Sequence, residues 1–113
     1  MTSTEYVPDR GDVVWLSFAP QAGHEQAGRR PALVLTPAAY QRVVGLALCC
    51  PITRRAKGYP FEVALADGMG VAGVVLADHV KSLDWRARGA ELVDRAPDSV
   101  TARVVELIGQ LIG

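Results

Sequence analysis

Apolar residues along the chain come in short runs, separated by polar breaks that carry glycine or proline. "DVVWLSF" (12–18) follows the turn signal "PDRGD" and alternates as a strand does. "RPALVLT" (30–36) gives a second strand, with Pro31 tolerable near a strand start or on an edge. "PAAYQRV" (37–43) begins with a proline suited to the first helical position and predicts a helical turn. "VGLALCC" (44–50) reads as a buried strand. "FEVAL" (61–65), "VAGVVLA" (71–77) and "HVKSLDW" (79–85) follow as strands, with "GAELVDRA" (89–96) a short last one.

The period changes only once over a long stretch. In "PDSVTARVVELIGQLI" (97–112), Val100, Val104, Leu107, Ile108 and Leu111 recur at helical spacing and form one apolar stripe. Pro97 suits the helix start, and Asp98 stands where the helix dipole favours an anion. Five to seven short strands and one terminal helix predict a small antiparallel barrel with the helix packed on it. At 113 residues this is a single domain spanning 1–113. No repeat or low-complexity tract interrupts it.

Two connections stand out. Residues 19–28, "APQAGHEQAG", carry two glycines and a proline without apolar periodicity and predict a long, mobile loop. "PITRRAKGYP" (51–60) is a second, basic loop. Loops on a barrel are where functional groups are exposed.

Charge sharpens this picture. The chain has 12 basic and 12 acidic residues, so no global basic field exists to attract nucleic acid. The distribution is uneven, however. No acid lies between Glu25 and Glu62, while Arg29, Arg30, Arg42, Arg54, Arg55 and Lys57 do. Such segregation reads as a local anion-binding surface, or as a solvated loop face.

Other classes are disfavoured. No apolar run reaches the ~20 residues that span a bilayer, and the first ten residues lack a signal-peptide core. The two cysteines, Cys49 and Cys50, are adjacent in an apolar run. A bridge between neighbours is strained, so buried free thiols in a reducing cytoplasm are expected. Only His24 and His79 supply imidazole, without a spaced Cys or carboxylate cluster, and no phosphate-loop or serine-nucleophile motif occurs. Neither metal nor other cofactor is expected.

The two loops together offer His24, Glu25, Arg29, Arg30, Thr53, Arg54, Arg55 and Lys57. Arginine, threonine and a carboxylate suit RNA transphosphorylation, in which the substrate supplies its own nucleophile, the 2′-OH. Arginine stabilises phosphorane charge through paired hydrogen bonds, and a threonine hydroxyl donates another.

Four stretches carry a resemblance: "YVPDRGDVVWLSFAP", "HEQAGRRPALVLTP", "CPITRRAKGYPFEV" and "ADHVKSLDWRARGA". Their order and spacing closely resemble the MazF family of toxin ribonucleases, from about Tyr6 through Ala90, and the closing helix ending in "LIG" is similar too. The resemblance implies an SH3-like barrel of the MazF/Kid/CcdB type with a C-terminal helix, assembled as a homodimer. It implies metal-independent cleavage of single-stranded RNA at a short motif, leaving a 2′,3′-cyclic phosphate and a 5′-OH. It also implies a MazE-type antitoxin that lays an acidic tail across the RNA groove.

Carried over by motif, Arg30 matches the family's catalytic arginine, Thr53 its catalytic threonine, and Glu25 its required first-loop acid. Gln26 lies beside Glu25, and Lys57 sits where relatives bind RNA. His24, Arg29, Arg54 and Arg55 are expected to add RNA contacts. Each has a plainer alternative. Arg30 could be a solvated strand-start residue, Thr53 a turn residue after Pro51, and Glu25 a partner that only holds Arg30. Trp85 could stack a base or fill a core, and His79 reads as a structural histidine.

The proton acceptor stays open between Glu25 and His24. A guanidinium remains protonated at neutral pH. An imidazole near pKa ~6.5 is matched to that pH, and a carboxylate near ~4 is ionised but weakly basic. A dimer would bury strands 71–77 and 79–85 with the terminal helix. Two other functions share the fold: a CcdB-like toxin that binds DNA gyrase without catalysis, and a non-catalytic RNA-binding barrel.

Overall fold

The first strand, β1 (Asp12–Phe18), has the bounds its apolar alternation sets. The computed structural model of the chain describes residues 5–18 and 28–113. Within them β1 is followed by β2 (Gly28–Val34), helix α1 (Ala38–Val44) and β3 (Leu46–Thr53). Then come β4 (Glu62–Ala64), β5 (Val74–Leu76), a 3-10 turn (Ala77–His79), β6 (Lys81–Asp84), β7 (Glu91–Arg95) and α2 (Asp98–Ile112). The expected 19–28 loop lies almost wholly outside the described residues, as do His24, Glu25 and Gln26.

All strand pairs are antiparallel. The sheet runs β4-β5-β3-β2-β1-β7, with β6 also paired to β3. Its ends, β4 and β7, are not paired to each other, so the barrel is open. A mainly-β barrel of the SH3-like type with a C-terminal helix is what the sequence predicts.

Both faces of β2 are covered along Ala32–Val34, which explains why "PALVL" reads as a nearly continuous apolar run, whereas in "GLALCC" Leu46 and Leu48 stay exposed. On one face Val13, Leu33, Cys50 and Val75 pack against Val100, Val104 and Leu107 of α2. On the other, Val14, Leu16, Val34, Cys49, Leu83 and Trp85 form a second cluster. Cys49 and Cys50 therefore point to opposite cores as unbridged thiols, and burial pushes both up to about 12. Oxidation chemistry needs thiolate, so these are packing residues.

Three expectations change. Leu111, placed in the helix stripe, is 46% exposed, and Ile112 beside it at the end of α2 is exposed as well. Strands β5 and β6 do not offer a free apolar face: Val74, Val75, Leu83 and Trp85 are buried in the chain's own cores. Among the described residues, exposed apolar side chains lie on α1 and the start of β3, at Tyr40, Val43, Val44, Leu46 and Leu48, and also on the terminal helix, at Val105, Leu111 and Ile112. The strand expected over 71–77 is shortened to β5 because Gly73, at φ +129°, bends the chain just before it. Among the described residues, no helix is long and apolar enough to cross a membrane.

Candidate functional site

Strand β3 does not stop at Cys50. It continues through "PIT", where Ile52 and Thr53 pair with Val75 and Val74 of β5. Thr53 is thus a strand-end residue rather than the loop residue the sequence suggests. The proline at 51 is accommodated opposite Ala32.

The ladder between β2 and β3 pairs Ala32 with Pro51, Leu33 with Cys50 and Val34 with Cys49. Arg30 and Thr53 each lie two residues past the Ala32–Pro51 pair, at the same end of the ladder. Both residues line one cleft of about 600 Å³, together with Arg54, Arg55 and Lys57 from the connection after β3. Four cations meet two carboxylates there, Glu62 and Asp78, so the cleft is net basic. A concave, net-positive surface concentrates field lines for an anionic ligand.

The fine structure of the cleft is built from short-range bonds. The Arg55 backbone N–H donates to Thr53 Oγ1 at 3.2 Å. That bond occupies an acceptor site on the hydroxyl, whose O–H still donates. The Glu62 carboxylate accepts the backbone N–H of Lys57 at 3.1 Å and that of Gly58 at 3.0 Å, while the Glu62 N–H donates to the Tyr59 carbonyl. This clamps the 57–59 loop against β4. Lys57 Nζ lies 6.0 Å from the Tyr59 ring centre, with Tyr59 exposed in the cleft.

Gly73 shapes the same end of β3. A Cβ at position 73 would overlap the Thr53 carbonyl, and its positive φ also disfavours any side chain. The chain approaches Thr53 that closely only because the residue is glycine.

Arg29 is not in this cleft. It was expected beside Arg30 on one anion-binding surface, but successive residues of a strand face opposite ways. Its guanidinium donates to Glu91 Oε1 and the Gly89 carbonyl, both at 2.7 Å, and to the Trp15 carbonyl and Ser17 Oγ at 3.3 and 3.2 Å. It ties β1, β2 and the approach to β7 together.

Two cleft residues were passed over or misread. Asp78 and His79 close the cleft from the 3-10 turn, with His79 Nε2 3.8 Å from Asp78 Oδ1. His79 is exposed rather than a packed structural histidine, because the 3-10 turn carries it off the strand to the cleft rim. An adjacent acid and imidazole directly after the apolar run "VVLA" was the available signal. Trp85 resolves the other way: it is 3% exposed and belongs to the second core, so it cannot stack on a base.

A family model of PemK-like, MazF-like toxins of type II toxin–antitoxin systems matches residues 9–112. The endoribonuclease toxin MazF of Escherichia coli K12 is 56% identical over 87 residues, which is 77% of this chain and 78% of that protein. The Escherichia coli endoribonuclease PemK is 39% identical over 108 residues, covering 91% of this chain and 78% of that protein. A chain in the crystal structure of MazE–MazF from Deinococcus radiodurans superposes with a TM-score of 0.91 at 63% identity, covering 96% of this chain and 98% of that one. An endoribonuclease from a mycobacterial species shares the fold at a TM-score of 0.74 with 18% identity. On the match over residues 9–112, with these likenesses beside it, the chain belongs to the PemK-like, MazF-like toxins of type II toxin–antitoxin systems.

Proposed function

We propose that this endoribonuclease toxin cuts single-stranded RNA at a short sequence motif, without metal or other cofactor, by attack of a 2′-OH on the adjacent phosphorus. The observation that carries the reading is the convergence of Arg30 and Thr53 on one basic cleft.

In this reaction the 2′-oxygen forms a bond to phosphorus while its proton passes to a base. The P–O5′ bond then breaks, and the departing 5′-oxygen takes up a proton. The products are a 2′,3′-cyclic phosphate and a 5′-OH. Arg30 holds the developing phosphorane charge through paired N–H donors, and the Thr53 hydroxyl donates to the same group. A guanidinium keeps its proton at neutral pH, so Arg30 acts as charge stabiliser or acid. The base comes from the first loop: Glu25 holds that place or positions Arg30, with His24 the competing group. Gln26, Arg54, Arg55 and Lys57 hold the RNA on either side.

The same reading includes a homodimer, a cytoplasmic location and inhibition by a MazE-like antitoxin. MazE–MazF complexes of relatives support the last of these.

The test is incubation of the protein with a long single-stranded RNA of known sequence in EDTA, followed by mapping of the cut ends. Cuts at one recurring motif with cyclic-phosphate ends are expected. Retention of RNA without cuts would return the non-catalytic binding barrel, and neither cuts nor retention the gyrase-type toxin.

A further inference from the structure

The Arg30–Thr53 cleft is not uniformly basic. Its two carboxylates come from neighbouring elements: Glu62 of β4 pairs across from Leu76 of β5, and Asp78 follows two residues later in the 3-10 turn. That turn also brings His79 to the cleft, the one imidazole among the described residues. Glu62 is committed to the backbone N–H groups of Lys57 and Gly58. Asp78 and His79 are both exposed, and between them they set the charge that the turn presents.

The imidazole is placed to serve an occupant. His79 Nε2 stands 3.8 Å from Asp78 Oδ1, close enough for charges to interact and too far for a hydrogen bond. Behind the turn the packing is apolar: Ala77 is buried with Val104 and Leu107 of α2 and with Cys50 of β3, a thiol that burial holds neutral. The charged residues farther along α2, Arg103 and Glu106, are exposed and bonded to each other. Lys81, at the start of β6, lies over the Phe18 ring. The charges that share the cleft with the imidazole are therefore the two carboxylates and, lining the rest of it, Arg30, Arg54, Arg55 and Lys57.

Imidazole is the side chain whose charge ordinarily changes between pH 5 and 8. Neutral, it leaves Asp78 uncompensated, and a phosphate passing the turn meets a carboxylate. Protonated, it offsets Asp78 and presents a charged N–H donor to that phosphate, a stronger bond than a neutral donor makes.

We infer that His79 is a protonation-controlled phosphate contact of the RNA cleft, so that the hold on a single strand tightens as pH falls through the imidazole range. The inference rests on the RNA-cleaving reading above and deepens it by setting a condition on substrate binding. The phosphorane charge stays with Arg30 and Thr53. The linkage has a definite sign: an imidazole whose titration midpoint is raised in the complex adds to binding fully below the free midpoint, and that gain is lost as pH rises through the bound one.

The test titrates the untagged protein with a 2′-O-methyl oligonucleotide, which binds without being cut, at about pH 5.5 and about pH 8. The parent is expected to bind about tenfold more tightly at the lower pH, which corresponds to a midpoint raised by about one pH unit. Its log–log salt slope should also be steeper there by about 0.7, one phosphate contact. In His79→Gln, which cannot be charged, both differences should shrink by those amounts. His79→Lys, charged throughout, should bind at the higher pH as the parent does at the lower. Equal pH dependence in the parent and His79→Gln overturns the contact.

Proton NMR of the parent reads the same residue without a substitution at it. The chain has two histidines, so His24→Ala identifies the His79 signal. Its titration midpoint is expected to rise when the oligonucleotide binds. A midpoint that stays or falls overturns the contact and leaves the protonated ring to Asp78 alone. A parent that shows the rise but cuts no RNA overturns the reaction and leaves the contact standing. A parent that binds no oligonucleotide at either pH overturns both.

Discussion

Arg29 and Arg30 are neighbours in sequence and opposites in use. Arg29 Nη2 lies 2.7 Å from Glu91 Oε1 on one side of β2, and Arg30 lines the cleft on the other. Their alanine variants are expected to separate stability from activity.

Arg30→Ala should stay folded and lose cleavage by about 10²–10³ in kcat, the usual cost of removing one donor to a developing oxyanion. Arg30→Lys should remain poor, because an ammonium cannot make two parallel bonds. Arg29→Ala should keep kcat and lose stability. Glu91 is 72% exposed, so the ion pair itself adds little. The lost bonds to the Gly89 and Trp15 carbonyls should cost about 1 kcal/mol, a fall of roughly 5 °C in Tm. Thermal melts and single-turnover cleavage on both variants read this out. Equal activity losses in the two would remove the distinction.

Thr53 depends on a residue 20 positions away. Since a side chain at Gly73 would overlap the Thr53 carbonyl, Gly73→Ala must push the end of β3 outward. The expected result is a cleavage defect comparable to that of Thr53→Val, about 10²-fold in kcat, together with a lowered Tm. Thr53→Val itself keeps the β-branched shape of the strand residue and should melt near the parent. A Gly73→Ala protein with parental kcat would show that the position of Thr53 does not matter to the chemistry.

The sequence carried much of this, and the physical reason differs from place to place. The bounds of β1 and α2 were readable because amphipathic periodicity is local. Arg30 and Thr53 were named by motif, but their meeting depends on a register between β2 and β3 that no local pattern encodes. Thr53 was read as a loop residue because Pro51 is a break signal. The pairing with β5 that keeps Ile52 and Thr53 in strand is long-range. Arg29 was grouped with Arg30 on charge, although strand alternation, already assigned there, sends the two side chains apart. His79 was absorbed into a strand that is a 3-10 turn at its start.

Acid should weaken the fold through two carboxylates that accept backbone N–H bonds. The Ala38 N–H at the start of α1 and the Arg10 N–H hold Asp9 below its usual 3.8, and the Gly70 and Arg95 N–H groups do the same for Asp94. For a carboxylate whose folded pKa lies below the unfolded one, the stabilisation is complete above 3.8 and is lost as pH falls through the folded value. The Tm of the parent should therefore drop as pH is lowered from about 5 to about 2. Asp9→Asn and Asp94→Asn should each show a shallower drop, starting from a lower Tm at neutral pH. Melting curves parallel to the parent across that range would show that these bonds do not contribute to acid sensitivity.

Salt dependence separates the cations that touch RNA from those that do not. Every Lys or Arg that neutralises a phosphate releases counterions, so binding of a single strand weakens with salt by a log–log slope of about −0.7 per contact. Arg54, Arg55 and Lys57 line the cleft, whereas Arg29 is engaged on the far side of β2. Titrations with a 2′-O-methyl oligonucleotide, which lacks the nucleophile, measure binding without cleavage. Arg54→Ala, Arg55→Ala and Lys57→Ala should each flatten the slope by about 0.7. Arg29→Ala should leave it unchanged. A slope change for Arg29→Ala equal to that of Arg54→Ala would instead put the RNA path across both faces of β2.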